Sequence, residues 1–167
     1  IGKAKSPLAG TLASMHDDTL PPPAFANPAT PQALQGIKVL ELGQLIAGPF
    51  AAKTLADFGA DVIKIEQPGI GDPMRHWAPM KEGRSLWWKV IGRNKRLVTL
   101  ALNKPEGQAL FKRLVATADI VVENYRPGTF EKWGLGYDQL AAVNPRIILV
   151  RASGYGQTGP YRLRKGY

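Results

Sequence analysis

Ile37-Lys38-Val39-Leu40-Glu41-Leu42, the turn Gly43-Gln44-Leu45-Ile46-Ala47-Gly48-Pro49-Phe50, and then Asp61-Val62-Ile63-Lys64-Ile65-Glu66 decide the fold. Each flanking run is short, rich in β-branched residues and bounded by turn formers, so each reads as a buried strand. Pro49 is tolerated in the first turn of a helix, where its missing N–H is not needed. Phe50, Leu55 and Phe58 give that helix an apolar face, and Gly59 ends it. The result is a βαβ unit of about thirty residues, which requires parallel strands and a right-handed crossover.

The same alternation continues toward the C-terminus. Gln67 to Arg84 is loop-like, punctuated by Pro68, Gly69, Gly71, Pro73, Pro79 and Gly83. Ser85 to Ile91 fits a short helix or a strand. Leu97 to Leu102 reads as a strand, and Asn103 caps a helix with Pro105 and Glu106 in its first turn. That helix runs to about Ala118, with Leu110, Phe111, Leu114 and Val115 facing inward. Asp119 to Val122 and Arg146 to Arg151 read as strands, with short helices at Thr129–Trp133 and Tyr137–Val143 between them. The glycine-rich stretch Gly154 to Pro160 follows. The fold class is α/β with a mostly parallel sheet. Toward the N-terminus, Pro21, Pro22, Pro23, Pro28 and Pro31 break any element, so residues 1–35 read as a flexible arm or a strap over a partner.

A chain of 167 residues with 44% hydrophobic and 21% charged residues suits one soluble domain. No apolar run is long enough for a membrane span, and Ile1 to Leu20 lacks the core of a signal peptide. The absence of cysteine excludes disulfides, thiolate metal sites and a cysteine nucleophile, and fits a cytoplasmic enzyme. The net charge is +9, and Lys3 and Lys5 cancel Asp17 and Asp18, so the whole excess lies in residues 36–167. Such a basic body argues for a polyanion: nucleic acid, an acidic membrane or a phosphorylated cofactor.

Ligands of open α/β sheets bind beyond the carboxyl ends of the strands. Gly43–Pro49, Glu66–Asp72 and Glu123–Gly128 occupy such places. The first has neither G-x-G-x-x-G nor a P-loop Lys-Ser/Thr ending, so it is a structural turn or a helix start facing phosphate. Glu66 stands where a dinucleotide fold holds a ribose hydroxyl; the alternative is a solvated carboxylate. The run Arg84, Lys89, Arg93, Lys95 and Arg96 is either a solvated face or a phosphate-binding edge, with Trp87 and Trp88 as core or interface aromatics. His16 and His76 are too isolated to hold a metal. The residues themselves therefore reach a basic α/β domain for a nucleotide-like, phosphate-bearing ligand.

Several phrases carry a resemblance. They include Gly36-Ile37-Lys38-Val39-Leu40-Glu41-Leu42, Ala47-Gly48-Pro49-Phe50, Leu55 to Pro68, Gly71-Asp72-Pro73-Met74-Arg75 and Arg93-Asn94-Lys95-Arg96. Ala118 to Gly128, Gly134-Leu135-Gly136-Tyr137, Asn144-Pro145-Arg146 and Gly154 to Pro160 complete the series. In this order and spacing, residues 36–167 resemble the N-terminal region of the class III coenzyme A transferases, the CaiB/BaiF-like group. The resemblance implies a Rossmann-like CoA-binding domain, incomplete without a C-terminal part, in an interlocked homodimer. It implies acyl-CoA and a carboxylic acid as substrates, no permanently bound cofactor, and no nucleic-acid or membrane partner. The family's nucleophilic aspartate would fall beyond Tyr167, so this chain alone would be inactive.

By the same resemblance, Leu45 and Ile46 meet CoA in the first turn, and Gln67 stands where some members carry a phosphate-binding arginine. Leu100 and Asn103 fall on the adenine side. Asn124 and Tyr125 flank the pantetheine arm, and Lys132 and Lys165 meet phosphate. Tyr167 stands where the related racemases carry a catalytic histidine, which tilts against racemase chemistry. An NAD-binding domain is a competing reading, weakened by the missing glycine fingerprint.

Overall fold

A computed structural model describes residues 31–166. The Pro-rich residues 1–30, with His16, and Tyr167 lie outside the described residues. Five parallel strands make the central sheet: β1 (Lys38–Glu41), β2 (Asp61–Glu66), β5 (Lys95–Thr99), β6 (Ile120–Glu123) and β7 (Ile148–Arg151), in the order β5-β2-β1-β6-β7. A two-stranded hairpin, β3 (Met80–Lys81) and β4 (Arg84–Ser85), stands apart from it. Helices α1 (Ala47–Asp57), α2 (Leu86–Ile91), α3 (Pro105–Val115), α4 (Thr129–Lys132) and α5 (Tyr137–Val143) fill the connections. From β1 the chain steps outward through β2 to β5, then returns to the other side of β1 for β6 and β7. The strand order therefore reverses between β1 and β6, and the crevice above their carboxyl ends is the topological switch point.

Alternation along the strands sends Leu40, Leu42, Ile65 and Val121 to one face, where they pack on Phe111 and Val115 of α3 and Leu140 of α5. Val39, Val62 and Val122 face the other way, onto Ala52 and Ala56 of α1. The expected apolar face of α1 is corrected here. Phe50 and Phe58 are 55% and 57% exposed, and the buried face is Gly48, Pro49, Ala52 and Ala56. Small residues let the helix lie close against the sheet, and the larger side chains are turned outward. Leu110 is likewise exposed on α3, whereas Phe111 and Val115 are fully buried. Asn103 is not the cap of α3. Lys104 occupies that position and makes no side-chain capping bond. Ser85–Ile91 resolves into the end of β4 and then α2, with Ser85 Oγ accepting from Trp88 N at 3.2 Å.

The body begins before the tail boundary expected at residue 35. Leu34 donates its N–H to Phe58 O at 2.9 Å and packs beside the α1 core. No described helix is long and apolar enough to cross a membrane.

Candidate functional site at the strand switch point

The turn after β1 is held from three directions. Gly43 and Gly48 touch backbone to backbone: a Cβ on Gly43 would lie 2.8 Å from Gly48 Cα, so neither position has room for a side chain. Leu45 adopts φ 61°, an unusual conformation for a residue with a bulky side chain. Its N–H donates to Asp72 Oδ1 at 3.1 Å. From the other side of the crevice, Asn124 Oδ1 accepts from Gln44 N at 2.7 Å and Asn124 Nδ2 donates to Gln44 O at 2.8 Å. One amide side chain thus staples the end of β6 to the end of β1.

Beneath the turn lies a quartet of buried charges. Lys64 Nζ donates to Glu41 Oε1 and to Gly43 O, both at 2.7 Å, and stands 2.9 Å from Asp72 Oδ2. Lys95 Nζ donates to Glu41 Oε2 and Pro49 O, both at 2.7 Å. The side chains of Glu41, Lys64 and Lys95 are wholly buried, and that of Asp72 nearly so. Burial pushes the Lys95 ammonium pKa below its ordinary value, opposed by the attraction of Glu41. Two cations and two carboxylates balance, as charges removed from water require. The lysines also grip the carbonyls at both ends of the turn.

Glu66 overturns one of the readings offered for it. It is 7% exposed, and its carboxylate receives Arg75 through two bonds of 2.8 Å and Asp72 N at 2.9 Å. It is not a solvated carboxylate, although Oε1 carries a single bond and Glu66 still lines the first cavity. Glu123, at the end of β6, accepts from Arg151 Nε at 2.6 Å and from Tyr125 N at 2.6 Å. Burial raises its pKa against the pull of Arg151.

Two cavities open on this scaffold. The first, of about 280 Å³, is lined by Gln44, Ile65, Glu66, Gln67, Leu100, Leu102, Asn103, Tyr125, Thr129 and Trp133. Its lining combines apolar and aromatic side chains with amides, a hydroxyl and the Glu66 carboxylate, chemistry that suits a planar heterocycle by stacking and edge recognition. Tyr125 is held by Phe130 and Trp133, with ring centroids 6.0 and 5.2 Å away. Burial, then the charge of Glu123, pushes its phenol pKa up, so the hydroxyl stays neutral. The second cavity, of about 440 Å³, shares Tyr125 and continues past Asn124 to Arg126, Arg162, Arg164 and Lys165, with no carboxylate in its lining. It suits phosphate groups.

A family model described as CoA-transferase family III matches residues 34–167. The chain belongs to that family. It is 57% identical over 138 residues to succinyl-CoA–D-citramalate CoA-transferase of Chloroflexus aurantiacus, covering 82% of this chain and 34% of that one. It is 44% identical over 135 residues to human succinyl-CoA:glutarate CoA-transferase, covering 80% of this chain and 31% of that one. The crystal structure of a CaiB/BaiF family protein from Brucella suis superposes with a TM-score of 0.76 at 44% identity, over 81% of this chain and 37% of that one. The chain thus spans about a third of the length of the relatives it matches.

Gln67, Leu100, Asn103 and Tyr125, expected from the family III resemblance, converge on the first cavity, while Asn124, Tyr125 and Lys165 line the second. Leu45 and Ile46 lie in the stapled turn, where Ile46 caps α1 and is 48% exposed. Lys132 is exposed on α4, one turn after Thr129 and beside Trp133, but is not part of either wall. Sequence reasoning missed the buried quartet, the Glu66–Arg75 pair, Thr129 and Trp133, and the cations Arg126, Arg162 and Arg164.

Proposed function

We propose that this chain supplies the CoA-binding part of a CoA-transferase that moves CoA from an acyl-CoA thioester to a carboxylic acid. The observation that carries this reading is the aromatic cavity at the strand switch point opening into a carboxylate-free cationic one, in a chain of CoA-transferase family III. Adenine and the pantetheine arm lie between Leu100, Asn103, Gln67 and Tyr125; the phosphates meet Lys165 and its neighbouring arginines, with Lys132 reaching in from the rim. An NAD site is disfavoured, because the turn after β1 lacks the G-x-G-x-x-G fingerprint.

In the transfer itself, an aspartate carboxylate attacks the thioester carbonyl and expels CoA thiolate, leaving an aspartyl anhydride. The thiolate then attacks the aspartyl carbonyl and releases the donor acid, forming an aspartyl-CoA thioester. The acceptor carboxylate displaces the thiolate again to give a second anhydride, and the thiolate attacks its acceptor carbonyl, yielding the new acyl-CoA and the free aspartate. Four of the described aspartates are already engaged. Asp57 is held by Arg93, Asp61 by Arg96, Asp72 by Leu45 N and Met74 N, and Asp119 by Lys38 N. The nucleophile belongs to a further part of the whole protein, which is a homodimer. The relatives named above pair succinyl-CoA with a second dicarboxylic acid, which supports a dicarboxylic acceptor here.

Isothermal titration with CoA, dephospho-CoA and NADH tests the binding reading. CoA should bind, dephospho-CoA more weakly, and NADH far more weakly than either. Equal affinity for NADH and CoA would sink it.

A further inference from the structure

A second carboxylate-free cationic cavity lies outside the proposed CoA site. It is a groove of about 610 Å³ lined by Arg75, His76, Gly83, Arg84, Ser85, Trp88, Lys89, Gly92 and Arg93. The Glu66–Arg75 ion pair is the wall between the two: Glu66 lines the first cavity and Arg75 lines this groove. The β3–β4 hairpin builds one side. Its two-residue turn, Glu82 at φ 51° and Gly83 at φ 71°, has the left-handed conformation that a tight hairpin requires, and it delivers Arg84 beside α2. Trp88 forms the floor, with the Arg75 guanidinium 3.8 Å from its ring centroid.

Two of the four strong cations there are already matched. Arg75 is bound to Glu66, and Arg93 to Asp57 at 2.9 Å. Among the described residues, Arg84 and Lys89 pair with no carboxylate, so the surplus charge of the groove is theirs. The start of α2, a natural seat for phosphate, is already closed by Ser85 Oγ on Trp88 N. What remains is a guanidinium fork, an ammonium and an aromatic floor, which fits a carboxylate on an aliphatic stem.

We propose that this groove binds the carboxylate of a short dicarboxylic acid, the end that does not receive CoA, with Arg84 and Lys89 as its specificity-determining residues. This rests on the reading above that the second substrate is a carboxylic acid. The Glu66–Arg75 ion pair alone separates this groove from the first cavity, so the two ligands would lie side by side.

The test is isothermal titration of glutarate into the chain, with the neutral isostere glutaramide and inorganic phosphate as comparisons. Trp indole N–H shifts in NMR spectra report occupancy of the groove. Arg84→Ala and Lys89→Ala should each weaken glutarate binding about tenfold or more, as loss of a hydrogen bond to a charged group does. Arg84→Lys should recover part of it. Both side chains are exposed, so the variants should melt as the wild type does and keep its CoA affinity. Glutarate binding that is undetectable, unchanged in both alanine variants, matched by glutaramide or exceeded by phosphate overturns the proposal. CoA binding without glutarate binding removes this site alone. Glutarate binding without CoA binding removes the CoA-site reading and leaves the groove standing.

Discussion

Replacing Lys95 by Met keeps the length of a fully buried side chain and removes its charge. Two acceptors then lose their partner, Glu41 Oε2 and Pro49 O, each 2.7 Å from the ammonium. The neutral quartet of Glu41, Asp72, Lys64 and Lys95 becomes a net anion where water cannot reach it. Breaking a buried pair from one side costs about 3–5 kcal/mol. With a urea dependence of about 2 kcal/mol per molar, the unfolding midpoint should fall by about 2 M. Circular dichroism in urea at neutral pH measures it. Adding Glu41→Gln removes the uncompensated charge, so the double variant should be more stable than Lys95→Met alone by at least about 1 kcal/mol. A midpoint shift below about 0.5 M, or a double variant as unstable as the two single losses added together, would refute the assignment of this cluster as a coupled unit.

Asn124→Ala removes both bonds to Gln44; it should cost about 1–3 kcal/mol of stability in thermal melts and weaken CoA binding in titration. Lys165→Ala should reduce CoA affinity about tenfold and flatten its salt dependence, whereas Lys132→Ala, on an exposed rim, should cost no more than about 1 kcal/mol. Asp57 is held down to about 2, first by the Arg93 fork and then by Lys53, so its folded pKa lies below the ordinary 3.8. Its contribution is therefore present above that ordinary value and lost as pH falls toward 2; Asp57→Asn should flatten this part of the acid unfolding curve. On β7, Ile148 is 58% and Val150 38% exposed on the sheet face that α1 covers farther along. Ile148→Lys with Val150→Lys should lower self-association in light scattering.

The strand Asp61–Glu66 was readable because three β-branched residues, Val62, Ile63 and Ile65, sit in a short run between Gly59-Ala60 and Pro68. The α/β class and the five-strand parallel sheet followed from such runs. The packing face of α1 was not readable from residue size, because close approach to a sheet selects Ala and Gly over Phe. Asn103 looked like a cap because its residue type favours one, yet the helix starts a residue later and leaves that amide to the cavity. The buried charges did leave a trace: Glu41 and Lys64 interrupt otherwise apolar strands, and a charge in a sheet covered on both faces has to find a partner. Which partner it finds is a matter of three-dimensional register. Lys95, counted among the surface cations, is joined to Glu41 across 54 residues. Of the family-derived positions, Gln67, Asn124 and Tyr125, just past strand ends, fell into the cavities with Leu100, Asn103 and Lys165, whereas Leu45 and Ile46 did not. Lys132 sits on a one-turn helix whose direction no local signal sets.

The quartet also bears on how the chain reaches its native state. Its members come from β1, β2, the segment after β2, and β5, so no local piece of the chain can assemble it. Each charge keeps its water until α1, β2 and β5 have all docked. Contacts that need four separated segments are expected to form late, on the native side of the folding barrier. Weakening them should leave the rate of folding nearly unchanged and speed unfolding instead. On that expectation the cluster beneath the β1–α1 turn is a latch, setting how long the assembled site persists and not how quickly it forms.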